Sequence, residues 1–166
     1  MSDMYREIMV KPDMPAGKRI LKTLFPVMAG LCFVIGLFFL PLWIGTVIFV
    51  LLSIFVGQKF DVEYEYLYVN GELDIDAIYS KQKRKRVCSH DMAHLEVLAP
   101  EKSHALDSYL NRQGAKYKDY TSGKAPEKSF VLVFNEEKGQ EIIAVELDDI
   151  IINDIRRIAP RKVNLY

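Results

Sequence analysis

The chain has 166 residues, with 22 basic and 22 acidic side chains and a formal net charge of zero. That length fits one modest domain plus an accessory element. The charge balance excludes a global polyanion-binding surface.

Residues 1–19 read as an N-terminal arm that carries Lys11, Lys18 and Arg19. From Thr23 to Gln58 no residue is charged: "TLFPVMAGLCFVIGLFFLPLWIGTVIFVLLSIFVGQ". A spanning helix needs about 20 apolar residues to cross about 30 Å of hydrocarbon, so this run is too long for one straight helix. The break belongs at Leu40-Pro41, because proline removes a backbone donor and disfavours helix in the residue before it. Trp43 beside it suits the headgroup level. Residues 20–58 are therefore expected to form a two-helix transmembrane hairpin, with spans of about Ile20–Phe39 and Leu42–Gly57. The main rival, a cleaved signal peptide, needs an earlier and shorter apolar core. A single tilted span and a re-entrant hairpin are lesser rivals. Basic residues flank the outer ends of both spans and the turn has none. The positive-inside rule then puts both termini in the cytoplasm of a multi-pass protein of the inner (plasma) membrane. Cys32 and Cys88 read as free thiols in a reducing compartment.

Residues 59–166 read as a mainly-β cytoplasmic domain. "FDVEYEYLYV" alternates, with Phe60, Val62, Tyr64, Tyr66 and Tyr68 on one face and Asp61, Glu63 and Glu65 on the other. Asn70-Gly71 is a two-residue hairpin signal, and "ELDIDAIYS" alternates again. Closing the turn there pairs Tyr68 with Leu73, Tyr66 with Ile75, Tyr64 with Ala77 and Val62 with Tyr79, all on one face. A slip by one residue destroys that match. The same register sets Glu65 opposite Asp76 with Asp74 nearby, which destabilises the pair unless a cation lies beside it. A loop at Lys81–Lys83 puts Arg84, Arg86, Cys88 and His90 on the acidic face, with Arg86 close to Asp76.

Ala93–Pro100 is expected to be a short strand ended by proline. Within Glu101–Lys128, Ala105–Gln113 reads as a helical turn and "TSGKAP" as a loop, with no strand assigned. "SFVLVFN" and "QEIIAVEL" form a hairpin through "EEKG", with Gly139 near the turn. In "DDIIINDIRRIAP", Asp148-Asp149 suit a helix start, Ile151, Ile155 and Ile158 recur at helical spacing, and Arg156-Arg157 suit the last turn.

The local text "EYEYLYVNGELDIDAIYSKQKRKRVCSHDM", "HLEVLAP", "DYTSGKAPEKSFVLVFN" and "RRIAPRK", after a two-span hairpin, resembles bacterial pleckstrin-homology-like membrane proteins, a small group from Gram-positive anaerobes. That resemblance implies a membrane α-helical hairpin plus a mainly-β PH-like domain, a bent antiparallel sheet with a C-terminal α-helix. Such folds usually bind lipids, peptides or proteins, and the fold alone does not give the function.

Four groups of residues bear on function. Lys81, Lys83, Arg84, Lys85 and Arg86 are juxtamembrane cations that suit anionic phospholipid headgroups, at about 1 kcal/mol each near the surface. The competing account is a solvated hairpin loop plus charge pairing between strands. Nucleic acid is not expected, since the part after Gly57 holds 17 basic against 19 acidic residues and no broad basic face. Ala29, Gly30 and Gly36 are small enough to permit close transmembrane helix contact. Cys88, His90, Met92 and His94 would share a strand face, but three candidate ligands along one extended strand do not easily converge on a metal ion. Glu63, Glu65, Asp74 and Asp76 show no contrast of environment that would make a catalytic pair. No cofactor and no enzymatic activity are expected. The expected function is a membrane-anchored binding or scaffold module docking on anionic lipid or a protein partner. The alternative is an accessory subunit of a larger membrane complex assembled through the hairpin; the expected partners also include a second copy of the chain, as a homo-oligomer.

Overall fold

The structure is a computed structural model that describes residues 4–112, 116–136 and 139–165. It divides into two compact units. One holds the residues up to Asp13, Glu63–Ala77 and the chain from Arg84 onward; the other holds Met14–Val62 and Ile78–Lys83.

The sheet-bearing unit starts earlier than its pattern of alternation indicates. Tyr5–Val10 (β1), inside the expected N-terminal arm, is a strand. It pairs antiparallel with Val62–Val69 (β2), from Tyr5 opposite Val69 to Val10 opposite Tyr64. Asn70 and Gly71 then carry the two positive φ angles, 49° and 93°, that a type I′ turn needs. Glu72–Tyr79 (β3) follows, and Tyr66, Tyr68, Leu73, Ile75 and Ala77 are all buried, as the expected pairing requires. Lys83–Asp91 (β4) completes a four-stranded sheet in the order β1-β2-β3-β4.

Two expectations for the next stretch are corrected. The turn between β3 and β4 is centred on Ser80 and Lys81, with φ of 48° and 57°, rather than on Lys81–Lys83. The strand after it stops at Asp91, whose carboxylate accepts from the Ala93 N–H and starts a 3-10 turn over Met92–His94. Met92 is therefore core and His94 is exposed, so the two do not line one strand face with Cys88 and His90.

The second sheet has the order β5-β7-β8-β6. Leu95–Pro100 (β5), Ser129–Glu136 (β7) and Gly139–Glu146 (β8) are antiparallel neighbours. In the expected "EEKG" turn, Glu137 and Lys138 lie outside the described residues; Gly139 has φ of 111°. Lys116–Asp119 (β6), unassigned from sequence, joins the edge in parallel with β8. The expected helical turn over Ala105–Gln113 is a 3-10 turn at His104–Leu106 running into a single turn, Asp107–Leu110 (α3), and Gln113 lies outside the described residues. The last element, Asp149–Ile158 (α4), is capped by Asp148, whose Oδ1 accepts from the Ile151 N–H at 2.9 Å. Its buried Ile151, Ile152 and Ile155 meet Tyr66, Tyr68, Leu73 and Phe134 in the main core. The Tyr68 hydroxyl donates to buried Asp154 at 2.8 Å, and burial followed by that bond pushes the phenol far up.

The helical unit contains Ala16–Gly36 (α1) and Leu42–Phe60 (α2), both long and apolar enough to cross a membrane. The break falls around Pro41, as expected. α1 starts before the expected Ile20 and ends before Phe39, and α2 runs past Gly57 to Phe60, so the charged Lys18, Arg19 and Lys59 are helical too. The Trp43 indole N–H donates to the Gly36 carbonyl at 3.0 Å and closes the turn.

Candidate functional site

The basic stretch after β3 splits into two parts with different duties. Arg84 pairs with buried Glu65 and lies 3.8 Å from Asp76. Arg86 reaches Asp74 at 2.8 Å and Asp76 at 3.6 Å. The expected proximity of Arg86 to Asp76 is thus present, and the like charges across β2 and β3 are answered by β4. Burial pushes the Glu65 carboxyl up, and Arg84 pulls against it. Lys11 does the same service for Glu63 at 3.0 Å.

The lysines behave otherwise. Lys81, Lys83 and Lys85 are exposed, and none makes an ion pair among the described residues. Lys83 and Lys85 alternate with the two arginines along β4, so those charges leave the acidic face and meet solvent, and Lys81 lies in the turn before it.

Lys81 and Lys83 belong to the helical unit, and hydrogen bonds show why. The Ser80 N–H donates to the Asp61 carbonyl at 2.7 Å, and its hydroxyl donates to the Gln58 carbonyl at 3.3 Å. The turn is closed by the Gln82 N–H on the Tyr79 carbonyl at 3.0 Å. Serine and lysine rarely adopt positive φ, at a cost of about 1–2 kcal/mol per residue. Here two successive residues do so while Ser80 is held against the last turn of α2. The tip is a fixed element that travels with the helix end.

The same helical end gathers further charge. Lys18, Arg19 and Lys22 sit in the first turns of α1 and Lys59 in the last turn of α2, all exposed. Lys18 Nζ lies 5.7 Å over the Phe60 ring, which brings the two helix ends together. The helical unit thus holds six cations, Lys18, Arg19, Lys22, Lys59, Lys81 and Lys83, against a single carboxylate, Asp61. Only the lysines beyond β3 stand out as a run in the sequence; the grouping with α1 and α2 depends on the Ser80 bonds, which carry no sequence signature.

The small residues of α1 also divide. Ala29, Cys32 and Gly36 are buried against α2 at a spacing of one helix face. A Cβ on Gly36 would come 3.2 Å from Trp43 Cδ1, and one on Gly45 would come 3.6 Å from Cys32 Sγ. Gly30 points away, with nothing within 4 Å of its Cβ position. Ala29 and Gly36 thus serve the contact inside the hairpin.

Other candidates take structural roles. Cys88 packs at the edge of the main core beside Tyr120, and burial raises its thiol to about 11. His90 stacks on Phe134 with ring centroids 4.3 Å apart. Among the described residues no group of His, Cys, Asp and Glu is arranged to hold a metal ion.

A pair of four-stranded sheets closed by a C-terminal amphipathic helix defines a PH-like domain, here carrying two apolar helices between its first two strands. Residues 2–165 match the bacterial PH-like domain family (DUF6106), and the chain belongs to that family. No curated protein and no solved structure matches the chain. PH-like domains are typically non-catalytic, so membership suggests a binding or scaffold module.

Proposed function

We propose that the chain is a membrane-anchored binding module whose Lys81 and Lys83 tip docks on anionic phospholipid headgroups. In this reading α1 and α2 cross the inner (plasma) membrane as a hairpin, both termini are cytoplasmic, and the sheets form the cytoplasmic scaffold. The carrying observation is the attachment of the tip to the end of α2 through Ser80. A lysine held beside the exit of a spanning helix sits within a Debye length of the headgroups, where each cation contributes about 1 kcal/mol. Arg84 and Arg86 take little part, because their charge is met by Glu65, Asp74 and Asp76. The flanking cations of both helices and the uncharged turn favour the same orientation.

The test is native mass spectrometry of the full chain purified in detergent and titrated with phosphatidylglycerol or phosphatidylcholine. The wild type retains phosphatidylglycerol preferentially, and retention falls with salt. The double variant Lys81→Gln, Lys83→Gln loses most of that preference. Equal retention of the two lipids by the wild type would remove the reading.

A further inference from the structure

The helical end carries more fixed charge than one phosphate can use. Lys18, Lys22, Lys59, Lys81 and Lys83 are exposed and lie on three chain segments joined by the Ser80 bonds and the Lys18–Phe60 contact. A flexible polybasic tail responds to the net charge of a membrane. Cations carried on chain segments that are joined to one another gain instead from a ligand that presents two anions on one molecule, because the second contact is intramolecular. Below this collar, Arg19 heads an open apolar groove along α1 lined by Ile20, Thr23, Leu24 and Val27. That groove suits an acyl chain and has no use for a soluble diphosphate.

We propose that this collar is a receptor for a phospholipid carrying two phosphates, selected over single-phosphate lipids at equal membrane charge. The inference rests on the anionic-lipid reading above. The two phosphates divide between the tip lysines and the cations of the helix ends, while one acyl chain follows Ile20, Leu24 and Val27.

The experiment uses the full chain in phosphatidylcholine nanodiscs doped with phosphatidylglycerol, or with diphosphatidylglycerol at half the molar amount so that charge is matched. Retained lipid is counted by native mass spectrometry across a titration. The wild type is expected to hold diphosphatidylglycerol about a hundredfold more tightly, the low end of the gain from linking two contacts. Two glycines inserted between Tyr79 and Ser80 keep every charge but loosen the tip, and the preference should fall to about one while anionic lipid is still retained. A second variant, Lys22→Gln with Lys59→Gln, leaves the strands untouched and should also lower the preference. Equal affinity at matched charge in the wild type, or a preference unchanged in both variants, overturns the two-phosphate proposal and leaves the anionic-lipid reading standing. Failure to retain either anionic lipid overturns both.

Discussion

Gly71 in the β2–β3 turn and Ile158 at the end of α4 are in contact, so tightly that a Cβ at position 71 would lie 2.9 Å from Ile158 Cδ1. The first hairpin turn of the sheet-bearing unit thereby rests on its last helix. Gly71 also has φ of 93°, where an L side chain is strained. Gly71→Ala is expected to cost about 1–2 kcal/mol, mostly from the backbone, because the Ile158 methyl can give way. Thermal unfolding of Gly71→Ala with and without Ile158→Ala separates the two causes. Full recovery in the Ile158→Ala background would make the cause steric.

The split of the basic stretch predicts unequal substitutions. Arg84→Ala leaves Glu65 buried and unpaired and should cost about 1–3 kcal/mol, less than the about 3–5 kcal/mol of a fully buried pair because the guanidinium is half exposed. Lys85→Ala should change stability by under about 0.5 kcal/mol. Urea unfolding of the two variants checks this; equal losses would mean that the charges act as one diffuse patch.

Lys81 is a non-glycine residue at φ of 57°. Lys81→Gly should raise stability by about 1 kcal/mol by relieving that conformation, even as it removes a cation from the tip. The same variant should retain less anionic lipid. A drop in melting temperature would show that the Lys81 side chain has a packing role.

Cys88 has a thiol raised to about 11 by burial, above its unfolded value of about 8.5. A raised pKa means that the neutral form is favoured in the fold. The associated stability is complete below the unfolded pKa and is lost as pH rises through about 11. Tyr66 and Tyr120 are pushed up by burial as well and add to the loss at still higher pH. Iodoacetamide at pH 8 should modify Cys88 slowly in the folded chain and rapidly in urea. Cys88→Ala should flatten the decline in stability between about pH 8.5 and 11. Fast labelling of the native protein would contradict the burial.

Much of this architecture was legible because its signals are local. Asn70-Gly71 and the alternation on both sides agree on one register, Pro41 marks the helix break, and Asp148 announces α4. The acidic face of β2 and β3 demanded cations, and Arg84 and Arg86 supply them. The elements that escaped are those whose reason lies far away in the chain. In "YREIMV", Tyr5–Val10 is a strand because β2 is available to pair, more than fifty positions later. "KYKD", Lys116–Asp119, is too short to show a period and exists by joining β8 in parallel. Of the lipid-facing candidates, the lysines were visible as a run. Their attachment to α2 was not, since a serine in a turn does not announce a bond to a helix end.

The pairing of Val10 with Tyr64 predicts where the sheet-bearing unit can be cut out. The salt bridge of Lys11 and Glu63 at 3.0 Å shows that the strand ends are adjacent on both sides of the inserted helices. Replacing Met14 through Phe60 by a short Gly-Ser linker should yield a soluble monomer that unfolds cooperatively. A fragment from Lys59 to Tyr166 lacks β1, bares the edge of β2 and should aggregate. Size-exclusion chromatography and circular dichroism compare them; identical behaviour would mean that β1 is dispensable.

The same insertion sets an order of events during synthesis. β1 is made before either helix, yet its partner β2 leaves the ribosome only after both are complete. At about 5–20 residues per second, that leaves β1 without a partner for several seconds. Through that interval its alternating apolar face has nothing to cover it, and the first sheet cannot begin to close. The sheet-bearing fold therefore waits on the hairpin, and a ribosome stalled within α2 holds a strand but no sheet.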